Sequence, residues 1–206
     1  DAITIKINDV DKLDIAAKDK ALLAENGGQI IINNRGLLSS KNALAVNGAG
    51  SAIKVNGLVD IDTGKNDALT VADGSMQLAG GSITGNVNAS GGSNTVKITG
   101  DVNAADNGVI NIGLANEGSS LNGNVTATDA ANASIYAKNG ASWTGIATGN
   151  VSLTLDNKAS WNNIGDSTLK KLSGTGGVID QTKDGAGNIT VADYSGDVTV
   201  LYKHDL

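Results

Sequence analysis

The sequence predicts an all-β chain that coils into a parallel β-solenoid, and three observations lead to this fold class. Short segments alternate between apolar and polar residues, clusters of Gly, Asn and Asp separate them, and similar units return along the chain. The 206 residues include 28 glycines, two tryptophans and three tyrosines, but no phenylalanine, proline or cysteine. Since compact cores usually depend on several large aromatic side chains, this chain must bury Ile, Val, Leu and Ala instead.

Alternation with a period of two residues predicts the strands. Apolar residues occupy every second position in residues 3–7, 151–155 and 198–202, among other segments, so one side of each segment faces inward. Pairs such as Asn47-Gly48 separate the segments and adopt positive φ at little cost. Only residues 11–23 carry a weak helical pattern, so the sequence predicts an all-β chain.

A longer repeat favours a stacked solenoid over an antiparallel sandwich. Ala21-Leu22, Ala43-Leu44 and Ala68-Leu69 open similar units at nearly even intervals, and Ala141-Ser142-Trp143 returns as Ala159-Ser160-Trp161 after a shorter one. Intervals of about 18 to 25 residues suit one coil of a parallel β-helix, in which coils stack about 4.8 Å apart. The sequence predicts roughly ten coils around a narrow aliphatic interior.

The aromatic residues divide the chain into two parts, because all of them lie between Tyr136 and Tyr202. We predict β-helix coils over residues 1–139 and an atypical carboxyl-terminal end over residues 140–206. Such an end caps the open strand edge of a solenoid. Trp143 and Trp161, with Tyr194, are predicted to stack there in a structural role. The alternative is that Trp143 and Trp161 are exposed platforms for a ligand.

The charge pattern disfavours partners that need positive potential. The net charge is −6, the isoelectric point is near 4.6 and Arg35 is the only arginine. An acidic chain without an arginine cluster is a poor match for nucleic acid, sulfated polymers or anionic membranes. We therefore expect neither nucleic-acid binding nor direct membrane insertion of this segment.

Gly165-Asp166-Ser167-Thr168 is similar to the Gly-Asp-Ser motifs of serine hydrolases. A serine nucleophile needs a base within hydrogen-bond reach, and His204 is the only histidine. We therefore interpret the motif as a strand-turn segment and nominate no catalytic residue. A glycan-degrading solenoid enzyme remains an alternative; it would need clustered acids and aromatic sugar platforms.

Two acidic segments have the density of calcium loops, and neither matches a known ligand pattern. In residues 60–67, Gly64 stands where an EF-hand needs an oxygen ligand, and Val71 stands where it needs glutamate. Residues 184–188 are interpreted in the same way, as a solvated turn. Ice-binding solenoids need regular Thr-x-Thr ladders, and only scattered pairs such as Thr126 and Thr128 occur. The sequence therefore nominates no metal or cofactor.

Several motifs stand close together in the carboxyl-terminal third: Ser142-Trp143-Thr144-Gly145, Val151-Ser152-Leu153-Thr154-Leu155, Ser160-Trp161, Gly165-Asp166-Ser167-Thr168, Gly176-Gly177-Val178-Ile179-Asp180 and Tyr194-Ser195-Gly196. Together they resemble the end of autotransporter passenger domains of the pertactin and self-associating adhesin type, over roughly residues 135–206. The resemblance implies a right-handed β-helix, a stable carboxyl-terminal folding seed, a downstream outer-membrane barrel and display on the surface of a Gram-negative bacterium.

The sequence also departs from that family. It contains no barrel segment, no export leader and no Arg-Gly-Asp, so no particular receptor is implied. We expect a surface adhesin that associates with like molecules on other cells, or binds a host surface protein or glycan. Affinity would come from many weak contacts along the rod. The alternative is a passive stalk and folding seed whose effector lies upstream.

Overall fold

A computed structural model describes residues 3–8, 13–72, 74–90, 95–104, 107–128 and 130–203. These residues form twenty β-strands in one continuous sheet and include no helix, so no described segment is a candidate for a membrane-spanning helix. The strands wind around three faces, which we name A, B and C.

Face A contains one strand from each successive coil. These strands are β1 (Thr4–Ile7), β3 (Gln29–Ile32), β5 (Ala52–Val55), β7 (Ser75–Leu78), β9 (Val96–Thr99), β12 (Ser120–Asn122), β15 (Ser142–Thr144) and β18 (Ser160–Asn162). The last parts of β19 (Ser167–Gln181) and β20 (Ile189–Tyr202) complete this face.

Faces B and C share long strands at the amino-terminal end and separate further on. The first parts of β2 (Leu13–Glu25), β4 (Gly36–Asn47), β6 (Val59–Ala72) and β8 (Ser82–Ser90) lie on face B, and their last parts lie on face C. Face B continues with β10 (Asp101–Ala104), β13 (Val125–Ala127) and β16 (Ala147–Gly149). Face C continues with β11 (Val109–Leu114), β14 (Asn132–Ala137) and β17 (Val151–Leu155).

The pairing confirms the predicted solenoid and excludes a sandwich of antiparallel strands. The named strand pairs are parallel and join each coil to the next; for example, Ile30 pairs with Ile53, and Trp143 pairs with Trp161. The rod has about eight turns, slightly fewer than the number predicted from the sequence.

Continuous columns of inward side chains form the core. On face A the column runs through Ile32, Val55, Leu78, Ile98, Leu121, Trp143, Trp161 and Ile179, each of them almost completely buried. A single coil cannot bury these side chains, and stacking covers each of them with the coils above and below. Among the described residues, the buried hydrophobic side chains are aliphatic except for Trp143, Trp161 and Met76, as the composition predicted.

Neither of two local expectations is confirmed. The weak helical pattern over residues 11–23 is wrong for the described part, because Leu13 onward belongs to strand β2. Asp14 points to solvent there while Leu13 and Ile15 are partly buried, so strand alternation prevails. The predicted carboxyl-terminal cap is not confirmed: the last strand carries Leu201 and Tyr202 with 45% and 71% of their surfaces exposed.

Candidate functional site

The outward faces of the rod are the candidate functional site. Because the coils stack in register, each outward strand position becomes a row of side chains along the rod. On face A one row contains Ser120, Ser142 and Ser160, and its neighbour contains Asn122, Thr144 and Asn162. The serine and threonine side chains present hydroxyl groups at regular spacing and Asn122 presents an amide, whereas the amide oxygen of Asn162 is buried. Such a surface offers many equivalent hydrogen-bonding positions.

Face B carries a threonine row that sequence reasoning missed. Thr84 pairs with Asn103, Asn103 with Thr126, and Thr126 with Thr148. In the sequence Thr126 forms a pair with Thr128, two residues further on. The neighbours of Thr126 in the row are instead Asn103 in the preceding coil and Thr148 in the following coil. A row of this kind can be found only when the length of each coil is known.

Side chains at the corners connect the coils. Asn33 donates its amide to Asn8, and Asn56 donates to Asn33 with a distance of 2.6 Å. Asn157 donates to Asn139 at the same distance. We predicted asparagines as turn formers, and the structure adds that these hydrogen-bond from one coil to the next. Such ladders fix the rotation of each coil on its neighbour and therefore make the rod more rigid.

The two tryptophans stack in the interior. The rings of Trp143 and Trp161 lie 5.0 Å apart between centroids and are inclined by 10°. The indole N–H groups donate to the carbonyl oxygens of Gly123 at 2.9 Å and Gly145 at 3.0 Å. Both side chains have 0% exposure, so neither presents a ring surface to a ligand.

Tyr194 lies on face C, away from the face A column that contains the tryptophans. Its side chain is 53% exposed. The hydroxyl donates to the carbonyl of Gly196 and accepts the N–H of Val198, both at 3.2 Å. These bonds tie the last coil to itself.

Ser167, in the Gly-Asp-Ser motif, is buried and bonded to structural partners. Its hydroxyl donates to Asn163 Oδ1 at 2.7 Å and accepts the N–H of Ala147 at 3.1 Å. The carboxylate of Asp166 accepts the backbone N–H of Asn188 at 2.8 Å. His204 lies outside the described residues. The motif therefore joins three coils through hydrogen bonds.

The two acidic segments are closed by their own hydrogen bonds. The buried hydroxyl of Thr63 donates to the carbonyls of Asn66 and Thr84, and Asn66 donates back to Thr63. Asp184 pairs with Lys203 at 3.2 Å. Across the described part of the chain, His, Asp and Glu side chains form no group of three that would hold a metal ion.

An open cleft of about 570 Å³ lies at the carboxyl-terminal end of the rod. It is lined by Asp166, Gln181, Ala186, Gly187, Asn188, Ile189 and Tyr202. Gln181 and Asn163 both donate to the carbonyl of Gly187, which holds the loop over the end of the core. The cleft is part of the solenoid end and contains one carboxylate that already accepts a backbone N–H.

Tyr136 is an exposed aromatic residue on face C that sequence reasoning left without a role. It is 40% exposed and pairs with Gly113, which has no side chain beside the ring. The Lys138 ammonium lies 5.6 Å from the ring centroid. Partial burial, with the nearby Asp156 carboxylate, raises the pKa of Tyr136 above 10.0. Tyr136 therefore stays neutral and presents a ring and a hydroxyl at physiological pH.

Comparison with known proteins gives no match among protein-family models, curated proteins or solved structures.

Proposed function

We propose that this chain is a non-catalytic passenger segment of the autotransporter type, displayed outside a Gram-negative outer membrane. It acts in adhesion or in cell-cell self-association through the faces of a rigid rod. The observation that carries this proposal is the outward rows, such as Ser120, Ser142 and Ser160, which repeat from coil to coil along the rod. The motifs over residues 135–206 support the bacterial-surface assignment.

Rows of short polar side chains suit binding by repetition. Each hydrogen bond or ion pair on an exposed surface contributes little by itself. When many copies of a rod stand on one cell, the second and later contacts become effectively intramolecular, and avidity rises by orders of magnitude. The partners we propose are like molecules on other cells, or a host surface protein or glycan.

Display on cells tests the proposal. Cells that carry the rod should settle faster and attach more firmly to host cells than cells that carry an empty display scaffold. A triple variant, Ser120→Lys, Ser142→Lys and Ser160→Lys, changes the face A row without altering the core. The matched variant Thr84→Lys, Thr126→Lys and Thr148→Lys changes face B. Settling and attachment that do not differ from the empty scaffold would contradict the proposal.

A second candidate function is that of a passive stalk and folding seed for an upstream effector. It is favoured by the carboxyl-terminal coils, where the stacked Trp143 and Trp161 are joined by a single short coil. Two measurements separate the candidates. If residues 140–206 refold alone and deletion of residues 1–130 leaves adhesion intact, the stalk is the better description. If that deletion abolishes adhesion, the rod itself binds.

A further inference from the structure

Faces A and B carry opposite charges in the first five coils. The face A strands β1, β3, β5, β7 and β9 contain Lys6, Lys54 and Lys97 and no acidic residue. The face B parts of β2, β4, β6, β8 and β10, which are residues 13–17, 36–40, 59–63, 82–84 and 101–104, contain four aspartates and no lysine or arginine. The net charge of the chain conceals this separation.

The two charged rows have the same period. On face A, one outward row reads Lys6, Ile31, Lys54, Gln77, Lys97 along consecutive coils. On face B, one outward row reads Asp14, Leu37, Asp60, Ser82, Asp101 along the same coils. The charged residues therefore recur every second coil, about 9.6 Å apart at the usual strand spacing.

The charged side chains are available for an intermolecular contact. Lys6, Lys54 and Lys97 are exposed, and none of them forms an ion pair with another described residue. Asp14, Asp60 and Asp101 are also exposed. Asp60 accepts the N–H and hydroxyl of Ser82, and Asp101 accepts the N–H of Asn124. These bonds hold the two carboxylates in position and leave their charge uncompensated.

We infer that face A of one rod docks on face B of a second copy of this chain, with both rods pointing in the same direction. This orientation places each lysine opposite an aspartate of the same coil. It also places Ile31 opposite Leu37 and Gln77 opposite Ser82, so that apolar meets apolar and polar meets polar. The opposite direction keeps the charge pairs and places Ile31 against Ser82 and Gln77 against Leu37.

The contact is heterologous, because it joins two different faces, and each copy keeps one face free for the next. Such contacts add copies side by side and do not close into a dimer unless the rotation closes a ring. Each exposed ion pair strengthens association only about two- to fivefold. Association therefore needs a high local density of rods, such as a crowded surface. Rods on one surface point in the same direction, whereas rods on two facing cells point in opposite directions. This contact therefore joins neighbouring rods on one cell and goes beyond the proposed association between cells.

Disulfide trapping tests the docking geometry, since the chain has no cysteine. Purified Lys6→Cys protein is mixed at about millimolar concentration with either Asp14→Cys or Asp101→Cys protein under mild oxidation. We expect the mixed disulfide to form at least tenfold faster with Asp14→Cys. Faster trapping with Asp101→Cys would overturn the same-direction arrangement, and equal rates with both would overturn the docking.

Charge reversal with rescue identifies the partner. Adding Lys54→Asp and Lys97→Asp to the Lys6→Cys protein should reduce trapping at least fivefold, and adding Asp60→Lys and Asp101→Lys to the Asp14→Cys protein should restore it. Lys170→Asp, an exposed change outside face A, should have no effect. Far-UV circular dichroism checks that each variant is folded. Failure of rescue, together with loss of binding to a polyanion resin on lysine reversal, would assign face A to an anionic polymer.

The outcome is separable from that of the proposed function. If displayed rods promote settling and attachment and the trapping rates with Asp14→Cys and Asp101→Cys are equal, the function stands and the docking inference fails. If the trapping pattern is as expected and displayed rods neither settle nor attach, the docking stands and the proposed function fails.

Discussion

The coils around the two stacked tryptophans are shorter than the first coils of the rod: Trp143 pairs with Trp161 and Trp161 with Ile179, each 18 residues further on, whereas Ile30 pairs with Ile53, 23 residues further on. The bonded corner residues Asn33 and Asn56 lie 23 residues apart. Asn139 and Asn157, which are bonded at the corner between faces C and A, lie 18 residues apart. The longer coils contain register shifts between β2 and β4, β4 and β6, and β6 and β8. A shift also occurs between Thr175 and Gly177 in the last coil, where Leu172 pairs with Tyr194, 22 residues further on.

The difference in coil length has an energetic consequence. Ordering a residue costs about 1–2 kcal/mol of conformational entropy, so each longer coil must offset the ordering of several more residues than a shorter one. The short coils also bury two large indole rings that stack and satisfy both N–H groups. In repeat folds each coil is stabilised mainly by its neighbours. We therefore expect the carboxyl-terminal coils to resist unfolding longer than the amino-terminal ones.

The largest expected effect is the loss of the stacked indole pair. Trp161→Ala should lower the free energy of unfolding by about 4 kcal/mol, because it removes buried surface and leaves the Gly145 carbonyl without its donor. Ile53→Ala, at a site with 1% exposure in the long coils, should cost about 3 kcal/mol. Urea unfolding followed by far-UV circular dichroism and by fluorescence of Trp143 measures both. Tyr202→Ala, at a site with 71% exposure, is the control and should change stability by less than about 0.5 kcal/mol. A smaller cost for Trp161→Ala than for Ile53→Ala would refute the ranking of the two regions.

The second prediction concerns how tightly the turns are packed. Gly174 has φ of +138°, and a Cβ there would lie 2.0 Å from the carbonyl oxygen of Leu155 in the coil below. Gly48, in the long coils, also has positive φ, and a Cβ there would meet nothing within 4 Å. Gly174→Ala should therefore cost about 3 kcal/mol and Gly48→Ala about 1 kcal/mol. Thermal unfolding of the two variants compares them directly. Equal costs would mean that the close approach of the Leu155 carbonyl oxygen adds nothing to the cost of the positive φ.

The positions that face the core could be predicted from the sequence. Alternation with a period of two marked the strands, and the repeated Ala-Leu units predicted a row that the structure contains, since Leu22 pairs with Leu44 and Leu44 with Leu69. The repeated Ala-Ser-Trp unit similarly predicted that Trp143 and Trp161 would stack. Inward positions are restricted to apolar side chains of suitable size, so their pattern survives changes in coil length.

The outward rows could not be predicted in the same way. The coils differ in length, so the sequence does not show that Lys54 and Lys97 lie in the same outward row. The register shows it, because Gln77 pairs with both of them. Many types of side chain are tolerated at positions that face solvent, and the sequence therefore shows no repeated residue pattern at them. Ser167 is a related case, because its partners Asn163 and Ala147 are brought together by stacking of the coils.

A third prediction compares two buried serines, one in each region, whose hydroxyls each form two hydrogen bonds. Ser51 donates to the Asn47 carbonyl at 2.9 Å and accepts the Gly27 N–H at 3.1 Å, much as Ser167 bonds Asn163 and Ala147. Ser51→Ala and Ser167→Ala should each cost about 1–2 kcal/mol, because each leaves buried polar groups without partners. Chemical denaturation of the two variants measures the costs. Similar costs would mean that the difference in stability between the two regions comes from the tryptophans and the turns. A much larger cost for Ser167→Ala would mean that the hydrogen bonds of Ser167 contribute to that difference.

The smallest expected effect is a pH dependence at the carboxyl-terminal end of the rod, where Asp180 pairs with Leu201. The hydroxyl and backbone N–H of Thr182 donate to Asp180 Oδ1 at 2.6 and 2.9 Å, and these bonds hold the pKa of Asp180 below its ordinary value of 3.8. Because the folded pKa is depressed, the stabilisation is present above pH 3.8 and is lost as the pH falls through the folded pKa.

Thr182→Val removes the hydroxyl bond and keeps the N–H bond and the side-chain shape. The pKa of Asp180 should rise towards 3.8 in this variant, as measured by carboxyl-carbon NMR titration, and the acid-induced loss of stability should begin at a higher pH. Thr128→Val, at an exposed site elsewhere on the rod, should leave that titration unchanged. An unaltered pKa in Thr182→Val would show that the backbone N–H alone sets the pKa, and the hydroxyl would then have no part in the acid stability of the last coils.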